Sequence, residues 1–314
     1  MSGLTIAARA DPGRRRRAKY WTLYLMMVPG LLYLFVNNYL PMIGLTIAFK
    51  DLDFAKGFFG SPWAGFKNFA YLFATSDAWQ ITRNTILYNL VFITFNTCCA
   101  LCAAILLNEV RSRGALKLYQ SSILVPNLIS MVIVSYLVMA FLSSDTGFIN
   151  KTILAGTGRQ MISWYNEPKY WPFILVFVNA WKNVGFLTVI FYASIIGIDA
   201  ELYEAARIDG ASKTKQIFNI TLPQITPLVV MMLLLFIGKI FYADFGLFYQ
   251  VPLNSGTLYD ATNVIDTYVY RALIQIGDIS MSSAAGFYQS VVGFVTVLGS
   301  NLIVRKISPD NALF

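Results

Sequence analysis

Apolar residues along this chain fall in long, nearly unbroken blocks separated by short polar stretches. Read with a window of about 19 residues, the span a helix needs to cross hydrocarbon, six blocks stand out: 20–40, 85–107, 119–142, 172–196, 224–248 and 284–304. None shows the period-two alternation of a lipid-facing strand. Lipid offers no partner to a backbone amide, so only helices or closed barrels cross it, and this pattern selects helices. The predicted fold class is an all-α membrane protein with six transmembrane helices.

Composition agrees: 57% of the 314 residues are hydrophobic and 13% charged. The net charge of +8 raises the question of a nucleic-acid partner. The basic residues are dispersed among apolar blocks, which suits membrane orientation and not a binding face, so no nucleic acid is expected. With the N-terminus inside, the inner segments hold 14 Lys and Arg: Arg9, Arg14, Arg15, Arg16, Arg17, Lys19, Arg111, Arg113, Lys117, Arg207, Lys213, Lys215, Arg305 and Lys306. The longer outer segments hold eight: Lys50, Lys56, Lys67, Arg83, Lys151, Arg159, Lys169 and Arg271. The bias places both termini in the cytoplasm. It divides the chain into a basic N-terminal segment (1–19), a membrane domain (20–307) and a cytoplasmic C-terminal tail (308–314). "RRRRAKYW" precedes the first block without a small-residue cleavage site after it, so it reads as the anchor of an uncleaved helix and not as a secretory signal.

The inventory of reactive side chains is short. There is no histidine, which removes most acid/base and nucleophilic triads. Cys98, Cys99 and Cys102 share the second block with no acidic residue nearby, and are read as small apolar groups in helix packing, not as metal ligands. No GxxxxGK[ST] phosphate loop occurs. We therefore assign no catalytic residue, no metal and no bound cofactor, and any energy must come from a partner or a gradient.

The exception to this oiliness is "ELYEAARIDGASKTKQIFNITLPQI", residues 201–225, between the fourth and fifth blocks and on the inner side. Asp199 is placed to cap a helix from Ala200, with Glu201 in its first turn, where the helix dipole favours negative charge. Gly210 ends it. Ala205 and Ala206 give it little side-chain bulk, so another protein can approach its backbone. A second piece spans 212–219, and Pro223 fits the first turn of the fifth span. The expectation is helix, turn, helix and re-entry over 199–223, against the plainer alternative of an amphipathic loop on the membrane surface.

Glu204, Ala205 and Ala206, then Gly210, Ile220, Leu222 and Pro223 match at every fixed position the EAA-x3-G-x9-I-x-LP signature of the integral membrane permeases of binding-protein-dependent ABC importers. The resemblance extends over about 20–307 and is to the maltose-transporter-like sugar permeases. "KIFYADFGLFYQVPLNSG" (239–256), "NVIDTYVYRALIQIGDISMSSAAGFYQSVVGF" (263–294) and "NLIVRKI" resemble the branch that handles multiple sugars, aldouronates and other plant oligosaccharides. It implies a type I ABC importer permease fold in the bacterial cytoplasmic membrane, working by alternating access. It also implies a second homologous permease, two cytoplasmic ATPase subunits using ATP and Mg2+, and an external solute-binding protein that delivers the oligosaccharide. The loop containing Glu204, Ala205, Ala206, Asp209 and Gly210, with Ile220, Leu222 and Pro223 behind it, then docks on the ATPase.

For the sugar path, ionisable residues inside spans are the first candidates. Lys182 lies about 15 Å into the fourth span at helical rise, where Asn179, Lys182 and Asn183 share a face beside Trp181. On the fifth span Lys239 and Tyr242 share a face, and Asp244 points elsewhere. Amides, rings and ammonium groups suit sugar hydroxyls, sugar faces and uronate carboxylates; the same groups equally serve as interhelical glue, the reading taken for Asn84, Asn89 and Asn96. The outer segments 50–83, 143–171 and 249–283 are expected to form short interfacial helices and a docking platform. A gradient-driven secondary sugar transporter is the alternative function, but Asp244 is the only carboxylate well inside a span and no internal repeat is evident.

Overall fold

The computed structural model describes residues 12–74 and 76–307; the C-terminal tail 308–314 and the first eleven residues of the basic N-terminal segment lie outside them. Helix α1 (Pro12–Leu34) continues through a π turn (Phe35–Tyr39) and a 3-10 stretch (Leu40–Phe49). Short α2 (Lys67–Ala74) precedes α3 (Ser76–Asn108). After them come α4 (Arg113–Leu128), α5 (Met131–Leu142) and α6 (Trp171–Ile196). The loop between the fourth and fifth apolar blocks, expected on the inner side, supplies α7 (Ala200–Ile208) and α8 (Lys213–Gln216), and α9 (Leu222–Ile237) follows. Short α10 (Phe245–Gln250) and α11 (Ile265–Arg271) lead to the terminal α12 (Ile279–Ile307). Among the described residues five helices are long and apolar enough to cross a bilayer, and α4 with α5 forms a sixth, bent unit.

That bend corrects the expectation of a continuous third span over 119–142. α4 and α5 meet at 96°. Pro126 removes an amide donor from the last turn of α4. Ile129 is extended, and the Ser130 hydroxyl starts a new helix by accepting from Ile133 N–H. A break inside an apolar bundle orphans carbonyls that lipid cannot satisfy. Here Lys182, reaching across from α6, donates its ammonium to the carbonyls of Pro126, Asn127 and Ile129.

The fifth span is the second correction. It begins earlier than 224, because α8 runs through a π turn (Ile217–Thr221) into α9 as one 25-residue unit with no break at the membrane entry. Pro223 has no N–H for Asn219, and the ladder widens just ahead of it, Leu222 N–H reaching Ile217 O. It also ends earlier than 248: α9 stops at Ile237, and 238–244 are non-helical before α10 starts at Phe245. Lys239 and Tyr242 therefore do not share a helix face. Asp244 is an N-cap whose carboxylate accepts from Leu247 N–H at 3.1 Å. The unwound backbone is satisfied from three directions. Asn89 donates to the carbonyls of Ile240 and Tyr242, Gln289 donates to that of Phe241, and Ala243 N–H donates to Asp266.

Helices α3 and α6 form the centre of the bundle. Ala100 and Ala104, both fully buried, let α3 lie close to Leu187, Phe191 and Ile195 of α6 and to Ile225 of α9. On its other side α6 takes α4 at Gly185, where a Cβ would stand 1.8 Å from Ile123 O. A second cluster, Tyr88, Phe92, Trp171, Leu175, Leu247 and Phe248, locks α3, α6 and α10 together. The first candidate span, Leu23–Phe49, is only 6% buried within the chain. Cys98 and Cys102, expected within helix packing, are exposed on α3 instead.

Candidate translocation cavity and inner loop

The inner loop takes the predicted shape up to its second helix. Asp199 caps α7 by accepting from Glu201 N–H at 3.0 Å. Gly210 adopts φ +73°, and the ends close as a Schellman turn: Gly210 N–H to Arg207 O at 3.1 Å and Ala211 N–H to Ala206 O at 2.8 Å. A Cβ at Gly210 meets nothing within 4 Å, so the requirement for glycine is the left-handed backbone alone. None of α7 is buried. Glu204, Ala205, Asp209 and Gly210 are exposed and Ala206 half-buried; Ile208, apolar yet 87% exposed, stands beside them. Ile220 and Leu222 are half-buried and Pro223 exposed on the way into α9. The loop thus offers a small, accessible surface with one acidic end and an apolar knob.

A cavity of about 450 Å³ opens between α3, α6, α9 and the unwound 238–244. Asn179 and Asn183 of α6, Asn89 and Asn96 of α3, and Lys239, Tyr242 and Asp244 of the unwound stretch line it, with Phe92, Phe186 and Phe236 as apolar walls. Asn96 donates to Asn179 Oδ1 at 2.8 Å, and Asn183 donates to Asn179 O at 3.0 Å. Among the described residues no carboxylate comes within ion-pair distance of Lys239. Of the six residues predicted for the path, Asn179, Asn183, Lys239 and Tyr242 come together here. Lys182 and Trp181 do not: Lys182 is buried at the α4–α5 break, and Trp181, 40% exposed, lines a separate apolar cleft with Val134, Phe141 and Phe177. Asp244, predicted to point elsewhere, lines the cavity.

Sequence reasoning missed Gln289 and the double role of Asn89. Their signal is weak, a lone amide in an apolar helix, because the carbonyls they satisfy are freed only by a break 50 to 150 residues away in the chain. Asn84 donates to the carbonyls of Asp260 and Asn263, so Asn84, Asn89 and Asn96 of α3 all bond across to other segments. The outer segments are short helices and turns. One is organised by fully buried Asn150, which donates to the carbonyls of Ser143, Ser144 and Ile162 and accepts from Ile162 N–H and Trp164 Nε1–H.

A bent span, an unwound stretch lining a polar cavity and an exposed two-helix inner loop define a multi-pass helical membrane permease. Residues 96–309 match the family model described as the binding-protein-dependent transport system inner membrane component, and the chain belongs to that family of bacterial ABC-importer permeases. It is 38% identical over 92% of its length to Protein LplB of Bacillus subtilis, covering 90% of that protein. It is 34% identical over 92% to the polygalacturonan/rhamnogalacturonan transport system permease protein YteP of the same organism, covering 89% of it. Among solved structures it superposes with a TM-score of 0.86, at 32% identity and covering 95% of this chain and all of the other, on a chain of a bacterial ABC transporter involved in import of the acidic polysaccharide alginate. A chain of a bacterial alginate ABC transporter in complex with an alginate pentasaccharide-bound periplasmic protein gives 0.85, at 32% identity, with coverage of 94% and 97%.

Proposed function

We propose that this chain is one half of the membrane pore of an ATP-driven importer for carboxylated oligosaccharides. A second, homologous permease supplies the other half, two cytoplasmic ATPase subunits hydrolyse ATP with Mg2+, and an external solute-binding protein delivers the sugar. This chain carries no catalytic step. The observation that carries the sugar class is the cavity: an ammonium group, Lys239, with no carboxylate within ion-pair distance among the described residues, set among asparagine amides and aromatic walls, while the Asp244 carboxylate in the same lining is engaged as an N-cap by Leu247 N–H. Amides match sugar hydroxyls, rings match sugar faces, and the free cation matches a uronate. The names of YteP and of the alginate importers support the same class. Both termini and the loop at 199–223 lie in the cytoplasm, as the excess of inner Lys and Arg favours, and exposed Glu204–Gly210 docks on the ATPase.

The test is reconstitution of the chain with its neighbouring permease, ATPase and binding protein in liposomes, with ATP hydrolysis measured against oligogalacturonate, alginate oligosaccharide and neutral maltooligosaccharide. Acidic sugar is expected to stimulate hydrolysis and neutral sugar not. Lys239→Gln is expected to weaken the acidic preference by roughly tenfold, the value of one charge-assisted hydrogen bond. Stimulation by neutral sugar alone overturns the substrate class. Uptake that follows a proton or sodium gradient without any ATPase overturns the mechanism.

A further inference from the structure

A helix with no fully buried residue transmits force mainly through what it is tied to. Among the described residues one side-chain bond ties the loop 199–223 to a residue outside it, and one ties α7 to the foot of the fifth span. One joins Lys213 to Glu109 at 2.9 Å, between side chains 66% and 44% exposed, a pairing of little mechanical value in water. The other joins the Tyr203 hydroxyl of α7 to the Thr221 hydroxyl at 2.9 Å; Thr221 is only 3% exposed.

Thr221 is the last residue of the π turn. A π turn spreads its hydrogen bonds over five residues, Pro223 removes one donor just beyond it and Pro227 a second one turn further on, so the entry of this 25-residue span is its weakest part. Beside it lies a cavity of about 360 Å³ lined by Tyr203, Gln216, Ile217 and Thr221 and by Ile195 at the end of α6. There α7 has room to move without displacing packed core. Past Pro227 α9 is continuous helix to Met232 and Phe236, which line the translocation cavity.

We propose that the Tyr203–Thr221 hydroxyl pair is the strut that carries movement of α7 into α9, with the π turn at Ile217–Thr221 as the point where the span yields. This rests on the reading of 199–223 as the ATPase-docking loop. Pushed from below, α7 closes the small cavity, Tyr203 drives Thr221, and α9 swings about this weakened entry so that its far end reshapes the wall at Met232 and Phe236. Tyr203 is a positioning residue in this scheme.

The test uses the full complex, with Cys98, Cys99 and Cys102 replaced by serine and Met232→Cys as a reporter of cavity access. The measurement is the rate of labelling by an impermeant maleimide, with and without ATP plus orthovanadate; no sugar is needed. The parent is expected to change its labelling rate on nucleotide trapping. Tyr203→Phe and Thr221→Val are each expected to cut that change about fivefold, the ratio that a neutral hydrogen bond of ~1 kcal/mol corresponds to. The double variant is expected to match either single one, because both remove the same bond. Thr221→Ser, which keeps the hydroxyl, is expected to retain the response and shows that the complex assembles with an altered 221. A responsive parent with unaffected Phe and Val variants, or additive losses in the double variant, overturns the strut alone. A parent that binds no ATPase or does not respond overturns the docking-loop reading beneath it.

Discussion

Replacing Lys182 with methionine tests the account of the broken third span directly. The ammonium is the cap for the end of α4. Lys182 is 9% exposed, and its donors go to the carbonyls of Pro126, Asn127 and Ile129. Pro126 O keeps a second partner, Ile129 N–H at 3.3 Å, so the substitution orphans two carbonyls in an apolar bundle. At about 1–3 kcal/mol per unsatisfied buried group the gross loss is roughly 2–6 kcal/mol. Methionine also relieves the desolvation of a buried charge, which leaves a net destabilisation of roughly 2–4 kcal/mol. The assay is equilibrium unfolding of the purified permease pair in mixed micelles titrated with SDS, comparing parent, Lys182→Met and Lys182→Arg. Arginine keeps the charge and the donors, and is expected to recover part of the loss. A Lys182→Met protein within about 0.5 kcal/mol of the parent, a change typical of an uninvolved surface position, refutes the capping role.

Gly185→Ala places a methyl group 1.8 Å from Ile123 O; α4 must shift, and the same unfolding titration is expected to lose roughly 1–3 kcal/mol. Gly210→Ala meets no neighbour but must hold φ +73°. A penalty of roughly 1–2 kcal/mol on the turn is expected to weaken ATPase binding about fivefold or more in a titration of the permease pair. Asp266 on α11 gives a pH signature. Burial, the largest influence, raises its carboxyl above the ordinary value, the nearby Asp244 adds to that, and bonds from Ala243 N–H and Gln289 oppose it. A carboxyl raised on folding gives stability that is full below its unfolded pKa and is lost as pH rises through the folded one. The parent is therefore expected to lose stability across that range relative to Asp266→Asn, which keeps an oxygen for both donors; parallel curves exclude the effect.

The apolar blocks determined the helical membrane class, because lipid leaves a chain no other way to satisfy its backbone. The spacing from Asp199 to Pro223 determined the inner loop, because capping and left-handed glycine are local properties. Asp199, Ala200, Glu201 and Gly210 all stand where that reasoning put them. The two breaks were settled elsewhere. Residues 119–142 and 224–248 are apolar enough to be read as continuous helices, and their interruptions survive only because Lys182, Asn89, Gln289 and Asp266 come from distant parts of the chain to take the freed backbone groups. The same long-range placement divided the predicted path residues. Asn179, Asn183, Lys239 and Tyr242 reach one cavity because the fifth span unwinds at 238, whereas Lys182, one turn from Asn179, is drawn to the break at the end of α4. Periodicity reports which face of a helix a residue occupies; what that face meets is decided by where another segment stops.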